Sequence, residues 1–335
     1  MSFWKTLPKP ILALAPLANV TDASFRRVIA RYSAHARANG TVGGPDVMWT
    51  EFVSADGLMR ATPEGKEKLR ADLIYAEEER PIVAQLFSAH AIYMEASAAL
   101  CHELGFDGID INMGCPDKTI EKQGCGSAMI KSPAVAREII RAAKRGAGPL
   151  PVSVKTRIGY NKDELDTWLP ELLAETPAVI TVHARTRKEM SKVPARWEHV
   201  RRAVEIRNKM QEHLPQEERT LILGNGDITS LEDAHERIRT SGADGAMLGR
   251  AIFGNPWLFD PSRAQNPVPK EERLRVLLEH TKLFEELLPH KSFAIMKKHF
   301  KSYVHGWDGA KELRERLMEA DSTHQVAAII KAFEG

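Results

Sequence analysis

Short apolar runs, each followed by a longer amphipathic stretch, recur eight times between residues 11 and 248. Buried strands that alternate with helix-period segments are typical of βαβ units and a parallel sheet. Eight such units favour a closed barrel, although the pattern by itself also fits a doubly wound open sheet. The predicted strands are Ile11–Leu14, Val47–Phe52, Ile82–Phe87, Gly108–Ile111, Val152–Thr156, Val179–Val182, Leu221–Leu223 and Ala246–Leu248.

The alternation ends at about Phe259. Pro261, Pro267 and Pro269 predict a linker, and the residues after them have helical periodicity without a strand pattern. We therefore predict an α/β fold with a (β/α)8 TIM barrel over residues 1–260 and a small all-helical C-terminal domain over residues 261–335. The predicted tail helices are Glu271–Leu288, Ser292–Tyr303, Ala310–Glu319 and His324–Phe333.

Length and charge fit this division without choosing a partner. The chain has 335 residues, enough for a barrel of ~250 residues and an appendage. Its 47 Lys and Arg against 45 Asp and Glu leave a net charge of +2. A local basic face can hide in such an average, so a nucleic-acid partner is neither favoured nor excluded.

The cysteines and the N-terminus indicate the compartment. Cys101, Cys115 and Cys125 are too few for a disulfide framework, and none has the spacing of a zinc site, so we expect no metal. The apolar run Ile11–Ala18 is too short to span a membrane and lacks the form of a cleaved signal. We expect a monomer in the cytoplasm without membrane association.

The residues directly after the predicted strands indicate an active site. Barrel enzymes carry their chemistry at the carboxyl ends of the strands. Polar residues also mark where any strand meets solvent, but their occurrence after nearly every strand favours one shared site. In strand order these residues are Pro16, Glu51, Gln85, Asn112 with Cys115, Lys155 with Arg157, His183 with Arg185, Asn225 with Asp227, and Gly249 with Arg250.

Glycine-containing turns after the last two strands predict a phosphate site. Gly224–Asp227 and Gly249-Arg250 allow a ligand to approach the backbone closely, and Arg250 adds charge-assisted hydrogen bonds. Barrels frequently bind phosphate at these two loops. FMN and a phosphorylated sugar both fit. No GxGxxG motif follows the first strand, so a Rossmann dinucleotide site is not supported.

Three further residues carry candidate chemistry. Lys155 ends its strand beside His183, where a cation can stabilise negative charge on a reduced flavin. Cys115 lies on a turn between Gly114 and Pro116, where its thiol can serve as a nucleophile or as a proton donor. The spacing does not choose between those two roles. Cys101 and Cys125 are expected to be structural.

Several segments of the chain resemble the tRNA-dihydrouridine synthases, in that family's order and spacing from residue 11 to about residue 260. Together these motifs are highly specific, whereas each alone would be weak. The matching segments are Ala15–Asp22 through Phe25-Arg26, Asn112–Pro116, Val154–Arg157, His183–Arg187, Asn225–Ile228, Gly249-Arg250 and Asn255–Trp257.

The resemblance implies a TIM barrel that binds FMN, a helical domain that binds tRNA, and NADPH as the reductant. Cys115 matches the family's proton donor, and Asn112 and Arg185 match positions near the target uracil and the RNA. The FMN contacts carry over to Pro16, Leu17, Ala18, Gln85, Lys155, His183, Asn225, Gly226, Asp227, Gly249 and Arg250. Lys297, Lys298 and Lys301 form the densest basic patch of the tail, which is either an RNA contact or a solvated helix face.

The chain departs from the family pattern at a few loop positions. Leu17 replaces a usual Met, and Asn19 and Ala184 replace usual glycines. Val193-Pro194 replaces another common glycine. None of these changes removes a group that does chemistry, so they bear on loop geometry and substrate choice.

Two other functions fit part of the sequence. A barrel flavoenzyme acting on a free small molecule, of the dihydropyrimidine or dihydroorotate type, explains an FMN site but not the lysine-bearing tail. A non-catalytic RNA-binding protein explains the tail but does not need Cys115, Lys155 and His183.

Overall fold

The computed structural model describes residues 2–37 and 40–334; residues 1 and 335, the outer bounds of the two predicted domains, lie outside the described residues. The strands are β1 (Ile11–Leu14), β2 (His35–Ala36), β3 (Val42–Gly43), β4 (Met48–Trp49), β5 (Val53–Ser54), β6 (Ile82–Phe87), β7 (Gly108–Met113), β8 (Val152–Arg157), β9 (Val179–His183), β10 (Leu221–Asn225) and β11 (Gly245–Leu248). The α-helices are α1 (Ala23–Tyr32), α2 (Ala55–Arg60), α3 (Pro63–Ala71), α4 (Ala91–Glu103), α5 (Lys118–Glu121), α6 (Pro133–Ala147), α7 (Leu165–Leu173), α8 (Glu198–Met210), α9 (Leu231–Ser241), α10 (Lys270–Leu287), α11 (Lys297–Tyr303), α12 (Ala310–Leu317) and α13 (Thr323–Glu334).

The main sheet closes into a parallel barrel. Its strands follow the order β1-β11-β10-β9-β8-β7-β6-β4, and β5 also pairs with β6. A parallel bridge between Ala13 and Val47 joins the two ends, where the Leu14 amide donates to the Val47 carbonyl at 3.0 Å. The structure therefore confirms the predicted TIM barrel with helices around it.

The second predicted strand is shorter than expected and a further strand follows it. Of the stretch Val47–Phe52, only Met48–Trp49 forms a strand (β4); residues 50–52 lie outside any strand, and β5 begins at Val53. The Thr50 hydroxyl accepts the Gln85 amide at 3.1 Å, and Glu51 turns towards the loop after β1, where it accepts the amide of Asn19. These side-chain contacts replace the regular ladder and interrupt the strand.

The barrel interior has an apolar lower half and a polar upper half. Side chains alternate across each strand, so every second residue points inward. Trp4 of the N-terminal 3-10 helix Phe3–Lys5 closes the lower end and packs against Trp49, with 5.9 Å between ring centroids. Above it, the parallel register places Gln85 beside Asp110 and Asp110 beside Ser153. Polar side chains therefore collect below the carboxyl ends of the strands.

Helices α10–α13 form the tail, and α10 packs against α1. Buried hydrophobic residues form one continuous cluster from the outer layer of the barrel into the tail. The predicted helix Ser292–Tyr303 is a 3-10 turn, Phe293–Met296, that leads into α11. Within residues 2–37 and 40–334, no helix combines the length and apolarity needed to cross a membrane. The division of the chain at residue 260 stays a prediction.

Candidate active site at the barrel mouth

A cavity of about 300 Å³ opens at the carboxyl ends of the barrel strands. Every barrel residue with a predicted role in binding or catalysis lines it, whereas Glu51 of the strand-end residues and the three tail lysines do not. Their individual roles stay predictions. The lining residues that were predicted are Pro16, Leu17, Ala18, Gln85, Asn112, Cys115, Lys155, His183, Arg185, Asn225, Gly226, Asp227, Gly249 and Arg250. Arg157 also lines the cavity, together with Phe52 and Ser191, which carried no motif signal.

The cavity wall is strongly basic. Its cations are Lys155, Arg157, Arg185 and Arg250, and Asp227 is the one carboxylate among the described lining residues. Burial and the neighbouring charge of Arg157 lower the pKa of Lys155 to about 8. Burial likewise lowers the pKa of the Arg157 guanidinium to about 10. A desolvated site with this excess of positive charge suits a ligand that carries a phosphate or an anionic ring.

Arg185 is the centre of a buried network. It donates to the Val193 carbonyl at 2.6 Å and to His183 Nε2 at 3.1 Å, and it forms an ion pair with Asp227. Burial and surrounding cations hold the pKa of His183 well below its usual value, so the imidazole is neutral. Because a guanidinium only donates, Nε2 accepts and the ring proton lies on Nδ1. Arg185 is buried in the cavity wall, away from the outer surface.

The turn after β10 requires its glycine. Gly226 has a φ of +126°, and a Cβ there would lie 2.7 Å from the Ala195 side chain. The next residue, Asp227, accepts the Ala195 amide at 2.8 Å and pairs with Arg250 as well as with Arg185. Burial alone would raise the pKa of Asp227, but these hydrogen bonds and charges lower it overall. Asp227 is thus an anion that orients both arginines.

The backbone around Cys115 is held on all sides. Asn112 Oδ1 accepts the amides of Gly114 and Cys115 at 3.1 and 2.9 Å. The Gly114 carbonyl accepts Arg157 Nε at 2.8 Å, and the Cys115 carbonyl accepts the Ser127 hydroxyl at 2.9 Å. Burial raises the pKa of the Cys115 thiol, so the thiol stays protonated at neutral pH. A protonated thiol on a fixed turn suits a proton donor better than a thiolate nucleophile.

The other cysteines lie apart from this chemistry. Cys101 and Cys125 are buried, and burial raises the pKa of each thiol to about 12. Neither lines the cavity. Among the described residues, no group of three or more His, Cys, Asp or Glu side chains is arranged to hold a metal ion.

The tail contacts the loop that carries Pro16–Ala18. Lys291 forms ion pairs of 2.7 Å with both Glu51 and Asp72, and Glu51 in turn accepts the Asn19 amide. Lys298 donates to the Asn19 carbonyl at 2.6 Å. Lys291 was not signalled by the sequence, because its partner Glu51 is 240 residues away along the chain.

The three tail lysines therefore differ in their surroundings. Lys298 is half-buried and bonded to the barrel, whereas Lys297 is half-buried and Lys301 exposed without an ion pair to any described residue. Asn19, which replaces a glycine of the family pattern, has a φ of +54°. Asparagine tolerates this left-handed conformation better than most residues, so the substitution preserves the turn.

Comparisons with known proteins agree on one family. The family model described as dihydrouridine synthase (Dus) matches residues 13–334. A probable tRNA-dihydrouridine synthase 2 of Bacillus subtilis (strain 168) is 39% identical, with 99% of this chain and 97% of that protein covered. A probable tRNA-dihydrouridine synthase of Staphylococcus aureus (strain COL) is also 39% identical, covering 99% and 96%.

Solved structures are similar in fold alone. The 6-hydroxypseudooxynicotine amine oxidase of Pseudomonas geniculata N1 gives a TM-score of 0.51 at 13% identity, with 84% of this chain and 50% of that chain covered. Histamine dehydrogenase from Rhizobium sp. 4-9 gives 0.50 at 12% identity, covering 83% and 49%.

Proposed function

This chain belongs to the dihydrouridine synthase family, and we propose that it reduces the C5=C6 bond of uridine in transfer RNA, with FMN as bound cofactor and NADPH as reductant. The observation that carries the proposal is one basic cavity lined by Lys155, His183 and Cys115, and burial raises the pKa of the Cys115 thiol. A cation, a neutral imidazole and an acid at one site match the needs of a reduction followed by protonation.

The cavity residues fit FMN by their chemistry. The turns at Gly226 and Gly249, with Arg250, would hold the phosphate, and Lys155 would lie at the ring together with Gln85. When bound, FMN supplies the hydride that reaches C6 of the uracil. The Pro16–Ala18 loop closes one side of the site and is itself held through Glu51 and Lys298.

The residues of the chain then perform the remaining steps. Lys155, whose Nζ lies 3.4 Å from Asn225 Oδ1, places a positive charge where negative charge develops. Cys115 donates its proton to C5 of the uracil, which completes the reduction. The target uridine must leave its stack to enter the cavity, at a cost of a few kcal/mol. Basic groups outside the cavity would offset part of that cost by binding phosphates.

Charge around the mouth supports an RNA partner. The loops after β7, β8 and β9 (residues 114–132, 158–164 and 184–197) hold nine Lys and Arg against five Asp and Glu. The other loops at this face (residues 15–22, 50–54, 88–90, 226–230 and 249–254) hold one Arg against three Asp and Glu. The exposed lysines of the first group, here called the rim lysines, are Lys118, Lys122, Lys131, Lys162, Lys188 and Lys192.

The rim lysines lie across the mouth from the tail. In the strand order, β8 is opposite β1, whereas the tail contacts the loops after β1 and β4. None of the rim lysines has an ion pair to a described residue, although Lys131 Nζ lies 4.3 Å from the Tyr160 ring centroid. An RNA bound over the cavity would therefore meet unpaired cations on both sides, the rim lysines and the tail's Lys297 and Lys301.

The proposal is tested on purified protein. We expect heat to release FMN, identified by mass, and we expect NADPH with unmodified tRNA to produce dihydrouridine in nucleoside digests. Uridine, UMP and orotate serve as matched free substrates. Reduction of a free pyrimidine without reduction of tRNA would favour the small-molecule flavoenzyme, and absence of any flavin after reconstitution would favour a non-catalytic binder. Comparing kcat/KM for NADPH and NADH tests the reductant.

A further inference from the structure

A chain of buried hydrogen bonds leads from the barrel interior to the turn of Cys115. Asp110 accepts Ser153 Oγ at 2.5 Å on one oxygen and Gln85 Nε2 at 2.6 Å on the other. Gln85 Oε1 accepts Asn112 Nδ2 at 3.3 Å. Asn112 Oδ1 then accepts the backbone amides of Gly114 and Cys115. All four side chains that form these hydrogen bonds are buried, namely those of Gln85, Asp110, Asn112 and Ser153.

The direction of every bond follows from its buried end. Burial raises the pKa of Asp110 to about 6, so its carboxylate is mainly ionised at pH 7 and above. An ionised carboxylate only accepts hydrogen bonds, so Gln85 must present its Nε2 to Asp110. Its Oε1 is then left for Asn112, which must present Nδ2 and keep Oδ1 for the turn. Reversing either amide would place two donors or two acceptors face to face in a buried site.

We propose that Asp110 is a positioning residue that sets the orientation of the Gln85 and Asn112 amides and so holds the turn bearing Cys115. Asp110 is fully buried and does not line the cavity, so it acts through its neighbours and touches no ligand. The importance of this turn for catalysis rests on the proposed function. The hydrogen-bond chain itself does not depend on that function.

A double-mutant cycle tests the direction of the chain. In Asn112→Asp the new carboxylate still accepts the turn amides, but it also demands Gln85 Nε2, so Asp110 faces Gln85 Oε1. Adding Asp110→Asn removes this conflict, because the amide introduced there can donate to Gln85 and the whole chain runs in reverse. We therefore expect Asn112→Asp to lower the thermal stability and to reduce amide protection at residues 114 and 115 by about tenfold. The double variant should recover most of the stability and most of the protection.

Asn225→Asp is the matched control. It adds the same negative charge to the polar half of the barrel, but Asn225 bonds to Lys155 and to the Met247 carbonyl, outside the chain. Adding Asp110→Asn to Asn225→Asp should not increase the amide protection at residues 114 and 115. Equal recovery in both pairs, or simple additivity in the Asn112 pair, would overturn the proposal.

A kinetic arm keeps the inference separate from the proposed function. In Asp110→Asn the orientation of the Gln85 and Asn112 amides is no longer fixed, although no donor is forced against a donor. We therefore expect a lower kcat for dihydrouridine formation with KM for tRNA unchanged. The exchange measurements need no RNA. A wild-type protein that forms no dihydrouridine would contradict the proposed function, whereas the cycle would still decide the role of Asp110.

Discussion

The upper barrel and the barrel–tail interface both bury polar side chains, but these side chains differ in their hydrogen bonding. In the upper barrel, Asp110, Gln85 and Asn112 are joined in a directed chain of hydrogen bonds. At the barrel–tail interface, neither ring nitrogen of His280 or His299 has a hydrogen-bond partner among the described residues. There the rings pack against each other with 4.6 Å between centroids.

The difference shows what a buried polar group can do. A group with a partner transmits orientation, because its donors and acceptors constrain the neighbours. A buried titratable group without a hydrogen-bond partner stays uncharged and contributes only through its packing. Burial lowers the pKa of His280 to about 3 and that of His299 well below its usual value, so both imidazoles pack as uncharged aromatic rings. Phe25 stacks on His280 at 4.8 Å between centroids.

The largest effect is expected where the directed chain ends. Cys115→Ala should retain bound FMN and its reduction by NADPH but lose dihydrouridine formation by ~10²–10⁴-fold, the usual contribution of general acid catalysis. Rapid-reaction kinetics separate the two half-reactions. Cys101→Ala and Cys125→Ala are the matched controls and should be far milder. Turnover of Cys115→Ala within about threefold of wild type would exclude the thiol as the acid.

The second test concerns a buried ion pair between tail and barrel. Lys291→Met leaves the buried carboxylate of Glu51 without its cation, and removal of one partner of a buried ion pair typically costs about 3 kcal/mol or more. Denaturant unfolding should show this loss. Lys297→Met is the control from the same segment, because Lys297 has no ion pair to a described residue, and an equal loss in both variants would contradict the assignment.

The third test uses pH to challenge the neutral interface. The pKa of each histidine is lower in the folded than in the unfolded chain, so the unfolded state takes up protons first. The contribution of each histidine to the free energy of unfolding should be fully present above about pH 6.5. At lower pH the free energy of unfolding should fall by about 1.4 kcal/mol per pH unit for each histidine.

The matching variants isolate this contribution. His280→Phe and His299→Phe keep an aromatic ring and remove the titration, so each should flatten the fall in unfolding free energy between about pH 6.5 and pH 5. His213→Phe, which changes a histidine of the barrel whose side chain is exposed, should leave the slope as in wild type. An identical slope in all variants would show that other groups cause the acid sensitivity.

The smallest effects are expected at the surface. We expect weaker tRNA binding in two Gln variants, one that replaces Lys297 and Lys301 and one that replaces the rim lysines Lys118, Lys162 and Lys188. The slope of log K against log salt concentration should become shallower by ~0.7–0.9 for each phosphate that the variant no longer binds. Lys298→Gln should add little beyond removal of its hydrogen bond to Asn19.

The surface control lies on other faces of the barrel. Lys5, Lys9 and Lys209 are exposed, and their replacement by Gln removes as many charges as the rim variant. We expect no change of slope there. A tail variant with wild-type affinity and slope would reduce its basic patch to a solvated helix face.

Much of the fold and the site could be predicted from the sequence because each signal was local. The strand at Ile82–Phe87 was predicted with its observed bounds, since a buried strand is a short apolar run. Gln85 and Lys155 were assigned to the site because residues at strand ends share one face of a barrel. The early end of the second strand was missed, because Glu51 turns aside for a partner on another loop.

By itself, the sequence determined the alternation of strands and helices, the family, and which residues meet at the barrel mouth, because periodicity and strand ends are properties of neighbouring residues. Only the tertiary structure decided that Asp110 directs the amides below Cys115 and that Lys291 holds Glu51. The strand register and the docking of the tail bring these partners together, although the second pair is 240 residues apart in the chain. Which donor meets which acceptor depends on contacts between residues that are far apart in the sequence, and no local pattern encodes such contacts.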